Sequence, residues 1–181
     1  FLEVQHFTHN IEAISCLEKL ENTNECPTVV DKEKLKKYIG WGSLSKAFPN
    51  SDDSSVSDSW RSRNTELKDL LTDAEYSDVK ASVTDSFYTP DFIISALGDL
   101  AARLGQNNGV VLEPSCGNGK FIYQAPTPEN MRFVGVEKDS LSARIAKTIN
   151  HSNSYIFETG FEKLPLQQSC FDLVIGNPPY G

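Results

Sequence analysis

The tetrapeptide Asn177-Pro178-Pro179-Tyr180 places two hydrogen-bond acceptors and an aromatic ring at adjacent positions. The side-chain oxygen of Asn177 and the carbonyl oxygen of Pro178 can each accept one N–H from the same exocyclic amine. Such an amine is a poor nucleophile because its lone pair is delocalised, and two acceptors turn that lone pair toward an electrophile. The prolines stiffen the turn, and the Tyr180 ring offers a stacking face. This segment predicts chemistry at the nitrogen of a base or an amide.

A glycine turn at residues 113–119 (Glu-Pro-Ser-Cys-Gly-Asn-Gly) lies between a predicted strand and a predicted helix. Gly117 and Gly119 let the backbone approach a ligand closely, and the helix N-terminus offers free N–H groups. A Walker loop needs Gly at Pro114 and Ser or Thr at Phe121, and a dinucleotide loop needs a third small residue. The turn therefore favours a nucleoside without a pyrophosphate. A turn that binds no ligand is the alternative for this segment taken alone.

An acidic residue, Glu137, ends the second predicted strand, twenty positions after Gly117. Its two oxygens can each accept one hydroxyl of a ribose. A helix-capping or solvated acid is the alternative for Glu137 by itself. Its spacing from the glycine turn favours the ribose.

The segment Phe87-Tyr88-Thr89-Pro90 precedes a predicted amphipathic helix from Asp91 to Leu104. Thr89 is expected to be the helix N-cap and Pro90 the first helical residue. Capping explains these two residues but not the two aromatic residues before them. The predicted apolar face of the helix consists of Ile93, Leu97, Leu100, Ala101 and Leu104.

Four short β-branched segments after Gly105 must position these groups. They are Val110 to Glu113, Phe133 to Glu137, Tyr155 to Glu158 and Leu173 to Gly176, with a helix from Ser140 to Asn150 between the second and the third. Apolar strands separated by helices predict a mostly parallel sheet in a doubly wound α/β layer. Ligands of such sheets bind at the carboxyl ends of the strands, where the motifs lie.

The first part of the chain, residues 1–85, is predicted to be a helical extension, and residues 86–181 the N-terminal part of the α/β domain. One helix is expected from Asn10, as its cap, to Glu21, and another after Asp31, ending at Gly40. Residues 49–59 are expected to form a loop, and residues 72–75 a capping box before a further helix.

The composition limits the possible functions and locations further. The 181 residues include 17 basic and 25 acidic side chains, a net charge of -8, which argues against this chain gripping a phosphate backbone unaided. No apolar run reaches the ~18 residues of a membrane span, no secretory signal is visible, and a cytoplasmic location is expected. Because the chain begins at Phe1 and its only methionine is Met131, it is expected to be a piece of a longer protein. Four scattered cysteines without a C-x-x-C pair favour reduced thiols and no metal site, with a zinc site as the remote alternative.

These motifs, in this order, resemble the S-adenosylmethionine-dependent N6-adenine DNA methyltransferases of the gamma motif order. The segments at residues 38–42 (Tyr-Ile-Gly-Trp-Gly) and 70–76 are similar to methylase regions of large proteins of phages and mobile elements that often add a helicase. The resemblance covers most of residues 30–181. It implies a partial Rossmann-like methyltransferase sheet of about four parallel strands.

The resemblance also implies roles for individual residues. It implies S-adenosylmethionine as cofactor and an adenine base, flipped out of DNA, as target, with DNA contacts made by regions beyond residue 181. The third strand of the family usually ends in an acid followed by Phe, which contacts the adenine amine of the cofactor. Gly160 and Phe161 stand there, so that acidic contact is absent or moved to Glu158 or Glu162. The implied catalytic residues are Asn177, Pro178, Pro179 and Tyr180, and the implied cofactor-binding residues are Tyr88, Thr89, Pro90, Glu113, Pro114, Cys116, Gly117, Gly119, Glu137 and Phe161.

Three other functions stay open at this point. A protein-glutamine methyltransferase also uses Asn-Pro-Pro-Tyr, but its usual Asp-x-Gly-x-Gly loop and the absence of Phe-Tyr-Thr-Pro point away from it. An RNA amino-methyltransferase would use the same chemistry. A cofactor-binding module of a larger helicase protein, inactive as a methylase, is the third. The preferred hypothesis is an adenine-specific DNA-methyltransferase of the restriction-modification type.

Overall fold

A computed structural model describes residues 2–50, 55–84, 88–125, 130–150 and 153–178 of the chain. The chain divides into two compact units, one within residues 1–87 and one within residues 88–180. The predictions made for Phe87, Pro179 and Tyr180 fall outside the described residues.

The first unit is helical, as the sequence predicts. Its helices are α1 (Leu2–Thr23), α2 (Val29–Leu35), α3 (Asp58–Leu70) and α4 (Asp73–Ala81), with short 3-10 turns at Ser45–Ala47 and Ser82–Thr84. The predicted capping box is present: the Thr72 hydroxyl accepts the N–H of Glu75, whose carboxylate accepts the N–H of Thr72. Helix α2 begins one turn earlier than predicted, because Thr28 and Asp31 form an equivalent box.

The predicted cap at Asn10 is wrong, because Asn10 lies inside α1 and is fully buried. Its side-chain amide donates to the carbonyl of Gly40 at 2.7 Å, and its side-chain oxygen accepts the N–H of Ile39 at 3.0 Å. A buried amide must satisfy both its donor and its acceptor, and the chain around Gly40 offers one of each. Asn10 therefore anchors a turn that lies far along the chain.

The segment at residues 38–42 forms part of the core of the first unit. Trp41 is fully buried, and its indole N–H donates to the Tyr38 hydroxyl at 3.1 Å. The Trp41 ring packs edge-on against Phe7 and Phe48, with ring centroids 6.2 Å and 5.3 Å away. Gly40 adopts φ +68°, a conformation that favours glycine. The residues of this segment thus stabilise the fold of the helical unit.

The second unit contains the predicted parallel sheet. Its elements are α5 (Asp91–Arg103), β1 (Gly109–Glu113), α6 (Lys120–Gln124), β2 (Met131–Glu137), α7 (Ser140–Ile149), β3 (Ser154–Glu158) and β4 (Leu173–Val174), with a 3-10 turn at Phe161–Lys163. The strand order is β3-β2-β1-β4, and all three pairings are parallel. This topology confirms the predicted α/β class.

Helices α5, α6 and α7 pack against one face of this sheet. Val111 pairs with Phe133 and Leu173, so these side chains share a face, and Ile122 of α6 packs on them. On the same face, Ile156 contacts Ala143 and Ala146 of α7, and Ile175 contacts Ile94 of α5. On the opposite face Tyr155, Phe157 and Val174 are exposed, whereas Leu112 and Val136 are buried. In the described ranges, α5, α6 and α7 therefore share one face of the sheet.

Helix α5 ends one residue before the predicted Leu104 and buries a different face. Ile94 and Gly98 are buried, whereas Leu100 is 51% and Leu104 72% exposed. The cap assignment also differs: Pro90, with extended backbone, takes the N-cap position predicted for Thr89, and Asp91 is the first helical residue. Thr89 therefore does not cap this helix, and its carbonyl has another partner.

Candidate functional site

The carboxyl ends of the four strands lie along one edge of the sheet, because every pairing is parallel. β1 ends at Glu113, β2 ends at Glu137, and β4 leads into Gly176 and Asn177. The strand order runs β1, β2, β3 in one direction and places β4 on the other side of β1. Open α/β sheets bind ligands at such a switch point. The turn after β1 and the segment after β4 flank it.

The carboxylate of Glu137 joins the two loops that follow β1 and β2. Its Oε2 accepts the N–H of Gly117 and its Oε1 accepts the N–H of Asp139, both at 2.8 Å. Burial raises the pKa of Glu137, and these N–H bonds oppose that rise. Each carboxylate oxygen has a second lone pair, so the two bonds orient the group and leave it able to accept more.

The carboxyl of Glu113 is buried at the switch point, with the residue only 2% exposed. In the part of the chain that the structure describes, its Oε2 has no hydrogen-bond partner. Burial raises the pKa of Glu113 well above its usual range, and the neighbouring Glu137 carboxylate raises it further. A Cβ atom on Gly176 would lie 3.4 Å from Cγ of Glu113, so the segment after β4 packs against this side chain. Glu113 is thus a candidate acceptor for a donor group of a ligand.

The stability of the protein is expected to fall as the pH rises, because of Glu113. Its pKa in the folded protein is raised above the ordinary value of 4.5, so its contribution to stability is complete below about pH 4.5 and is lost as the pH rises through the folded-state pKa. Glu113→Gln keeps the shape and removes the titration, so its melting temperature should fall less across this range. Thermal melts followed by circular dichroism from about pH 5 to about pH 9 measure this slope.

An exposed acid, Glu66, provides the control for that measurement, because Glu66→Gln should retain the wild-type slope. The pKa of Glu137 is also raised, so Glu113→Gln should reduce the slope without abolishing it. Equal slopes in wild type and Glu113→Gln would show that Glu113 does not titrate as inferred.

The two glycines of the turn make room for protein side chains. Gly117 has φ +53°, and a Cβ there would lie 3.1 to 3.2 Å from two ring carbons and the hydroxyl oxygen of Tyr88. Gly119 has φ +76°, and a Cβ there would meet Ala146 and the side-chain amide of Asn150 at the end of α7. The sequence predicts that these glycines let the backbone approach a ligand closely. In the structure the space beside each Cα is filled by Tyr88 and by α7, and the cofactor-binding roles of the turn stay predictions.

Lys120 is a residue of this region that the sequence analysis missed. Its Nζ donates to the carbonyl of Thr89 at 3.0 Å and lies 2.5 Å from Oδ1 of Asp91. The hydrogen bond from Lys120 lowers the pKa of Asp91. A lysine in the first turn of a helix opposes the helix dipole, and this was the available signal that Lys120 has a partner elsewhere.

The end of β3 shows where the two candidate replacement acids lie. Glu158 accepts bonds from the Ser140 hydroxyl at 2.6 Å and from Nζ of Lys147 at 2.7 Å, which lower its pKa. The carboxylate of Glu162 lies against Gly160, in the space that a side chain at this position would fill. Phe161 follows Gly160 and is 44% exposed.

Cys116 is buried within the glycine turn. Its thiol packs with Ala143 and Ala146 of α7 and with Ile156 of β3, and burial raises its pKa. Its backbone N–H donates to the carbonyl of Val136 at 2.9 Å, which attaches the turn to β2. Cys116 therefore supports the turn through packing.

Residues 70–181 match the model of the N-6 DNA Methylase family, which is more than half of the chain. The chain belongs to this family. This N-6 DNA methylase chain is 36% identical over 99 residues to the type II methyltransferase M.CvrRI of Paramecium bursaria Chlorella virus XZ-6E, a match over 52% of the chain and 24% of the relative. It is 31% identical over 97 residues to the type II methyltransferase M.TthHB8I of Thermus thermophilus, a match over 51% of the chain and 20% of the relative. The aligned part thus spans a quarter or less of these relatives.

Two solved structures are similar to this N-6 DNA methylase chain. One, from Listeria monocytogenes, is described as a class I S-adenosylmethionine-dependent methyltransferase; it has 14% identity and a TM-score of 0.48, over 98% of this chain and 60% of that one. The other is the methyltransferase subunit of a type I restriction-modification system from Streptococcus thermophilus, with 15% identity and a TM-score of 0.45, over 94% of this chain and 44% of that one.

Among the described residues, no helix combines the length and apolar character needed to cross a membrane. Over the same ranges, no group of three or more His, Cys, Asp or Glu side chains could hold a metal ion. Cys16, Cys26, Cys116 and Cys170 are all free thiols.

Proposed function

We propose that this chain is the cofactor-binding part of an enzyme that transfers a methyl group from S-adenosylmethionine to the N6 amine of adenine in DNA. The observation that carries the proposal is the shared sheet edge: Glu113, Glu137 and the segment that begins with Asn177 follow the carboxyl ends of β1, β2 and β4. Membership of the N-6 DNA methylase family supports DNA as the substrate.

The buried acceptors at this edge fit S-adenosylmethionine. Glu113 has a buried oxygen with no hydrogen-bond partner in the described ranges, which suits the ammonium of an amino acid. The carboxylate of Glu137 is held in place by two N–H groups and retains lone pairs for ribose hydroxyls. Residues 88–90 and 113–119 would complete the site. When bound, the cofactor supplies a methyl group on a positively charged sulfur.

Asn177 and Pro178 would hold the amine that becomes methylated. The Asn177 side-chain oxygen and the Pro178 carbonyl oxygen would each accept one N–H of the adenine amine, which leaves the nitrogen lone pair directed out of the ring plane. Gly176, the residue before Asn177, packs against Glu113. The two acceptors therefore come directly after a residue that contacts the proposed cofactor site. The reaction then needs no covalent intermediate with the enzyme.

Phosphate contacts and recognition of the DNA sequence are assigned to other parts of the protein. Flipping a base out of duplex DNA costs a few kcal/mol, and stacking on one aromatic ring returns about 1 to 3 kcal/mol. Tyr180, the proposed stacking residue, can therefore offset extrusion but cannot also select a sequence. The chain carries a net charge of -8, so we assign phosphate contacts and sequence recognition to regions outside it.

The test of the proposal is a methyl-transfer assay on the full-length protein with radiolabelled S-adenosylmethionine. DNA, RNA and a protein substrate are offered in parallel, and the methylated base is identified by digestion and chromatography. N6-methyladenine in DNA is the expected product. Label in RNA or in glutamine would overturn the assignment of the substrate, and no transfer at all would favour an inactive cofactor-binding module.

Glu162 is proposed to replace the acid that the family resemblance implies at Gly160. Because Glu158 is held by Ser140 and Lys147, Glu162 is the better candidate to accept the adenine amine of the cofactor. The protein should then prefer S-adenosylhomocysteine over its inosine analogue, whose carbonyl replaces the amine, by about tenfold. Titration calorimetry measures both affinities.

Glu162→Gln should abolish this preference, because an amide can accept from the amine and donate to the carbonyl equally well. Glu158→Gln is the control and should retain the preference. The double variant Gly160→Asp, Glu162→Ala should restore it, since it returns a carboxylate to the same space. An unchanged preference in Glu162→Gln would contradict the assignment.

A further inference from the structure

The side chain of Lys120 is more buried than an ordinary surface lysine requires. It is 22% exposed, whereas the side chain of its ion-pair partner Asp91 is 64% exposed. Solvent screens a charge as exposed as that of Asp91, so this ion pair alone gives little reason to bury the lysine. The second contact of Nζ, with the backbone carbonyl of Thr89, joins α6 to the chain just before α5.

The residue next to Thr89 is attached to the same region. The ring of Tyr88 packs on Gly117, and its hydroxyl lies 3.4 Å from the hydroxyl of Ser142 at the start of α7. Residues 88–90 have no regular secondary structure, so contacts of this kind determine where their backbone runs. Lys120 follows the glycine turn directly and supplies a charged contact to this segment.

We infer that Lys120 is a positioning residue, which holds residues 88–90 against the glycine turn so that Tyr88 forms a wall of the cofactor site beside Gly117. The inference rests on the proposed function in one respect, that this wall borders S-adenosylmethionine. If residues 88–90 are already ordered in the free protein, ligand binding does not have to order them. The contact from Lys120 should therefore increase the affinity for the cofactor. Lys120 acts through the Thr89 backbone and need not touch the cofactor.

The test is Lys120→Met in a protein that carries 3-fluorotyrosine at position 88. In the ligand-free wild type, the fluorine resonance of residue 88 should be shifted from that of a solvent-exposed fluorotyrosine, and in the variant it should move toward the exposed value. The affinity for S-adenosylhomocysteine, measured by calorimetry, should fall about tenfold. Lys120→Arg, which keeps a charged donor, should restore most of both signals.

Two matched variants separate the positioning of residues 88–90 by Lys120 from a general effect of charge or stability. Lys147→Met removes a lysine that pairs with Glu158 at 2.7 Å and should change neither signal. Asp91→Asn removes the ion pair but keeps the bond to Thr89, and it should retain most of the affinity. If Lys120→Met does not fold, Lys120→Gln, which still donates but carries no charge, takes its place.

The two readouts also separate this inference from the proposed function. An unchanged fluorine resonance in a folded Lys120→Met variant would overturn the positioning role, whatever the cofactor. If the wild type does not bind S-adenosylhomocysteine, the proposed function fails, and the resonance still decides whether Lys120 holds Tyr88. Equal loss of affinity in Lys147→Met would also overturn the inference.

Discussion

Asn177→Ala is expected to lower the methyl-transfer rate of the full-length protein by about 10²- to 10³-fold, the usual effect of removing one preorganised polar contact to the reacting group. The affinity for S-adenosylhomocysteine should change little, because Asn177 contacts the target amine in the proposed site and not the cofactor. Single-turnover assays with radiolabelled cofactor and saturating DNA measure the rate, and calorimetry measures the affinity. A loss confined to the rate places Asn177 in the chemical step.

The matched control is Asn108→Ala, at an exposed asparagine that precedes β1 and so lies at the amino end of the sheet. It should retain both rate and affinity. A folded Asn177→Ala variant with the wild-type rate would contradict the proposed mechanism. A parallel loss of cofactor affinity would instead assign Asn177 to the cofactor site.

Glu137→Ala is expected to abolish cofactor binding and to destabilise the protein. The substitution removes the proposed ribose acceptor and leaves the N–H groups of Gly117 and Asp139 without their present partner. A buried donor that loses its partner costs about 1 to 3 kcal/mol. Calorimetry with S-adenosylhomocysteine and a thermal melt of the same sample measure the two effects.

Glu137→Gln separates the two effects, because it keeps the shape and one acceptor oxygen and should fold better than the alanine variant. Its cofactor affinity should still fall, since the amide cannot accept on both sides. Glu158→Gln is the control at the neighbouring strand end; it loses a surface ion pair, worth about 0 to 1 kcal/mol. Wild-type affinity in a folded Glu137→Ala protein would reject the ribose assignment.

Much of the second unit could be predicted because its signals are local. The four strands begin within two residues of their predicted starts, and Glu113 and Glu137 end β1 and β2 as expected. A short apolar segment followed by a turn residue specifies a strand end without reference to the rest of the chain. The Thr72 capping box was correct for the same reason, since its two residues are three positions apart.

The errors fall where a residue has a distant partner. Asparagine is a residue type that favours helix caps, but the hydrogen-bond partners of Asn10 are 29 and 30 positions away, at Ile39 and Gly40. The solvent exposure of Leu100 was not predictable either, because periodicity identifies an apolar stripe on a helix but not the surface that covers it.

The sequence alone determined which chemical groups stand at the strand ends, because strand, turn and helix signals depend on neighbours along the chain. The tertiary structure decided how those groups are held: Glu113 is buried with an oxygen that has no partner in the described ranges, Glu137 is oriented by two N–H groups, and Lys120 is bonded to Thr89. Burial and long-range hydrogen bonds depend on which elements pack together. No local pattern in the chain encodes that packing.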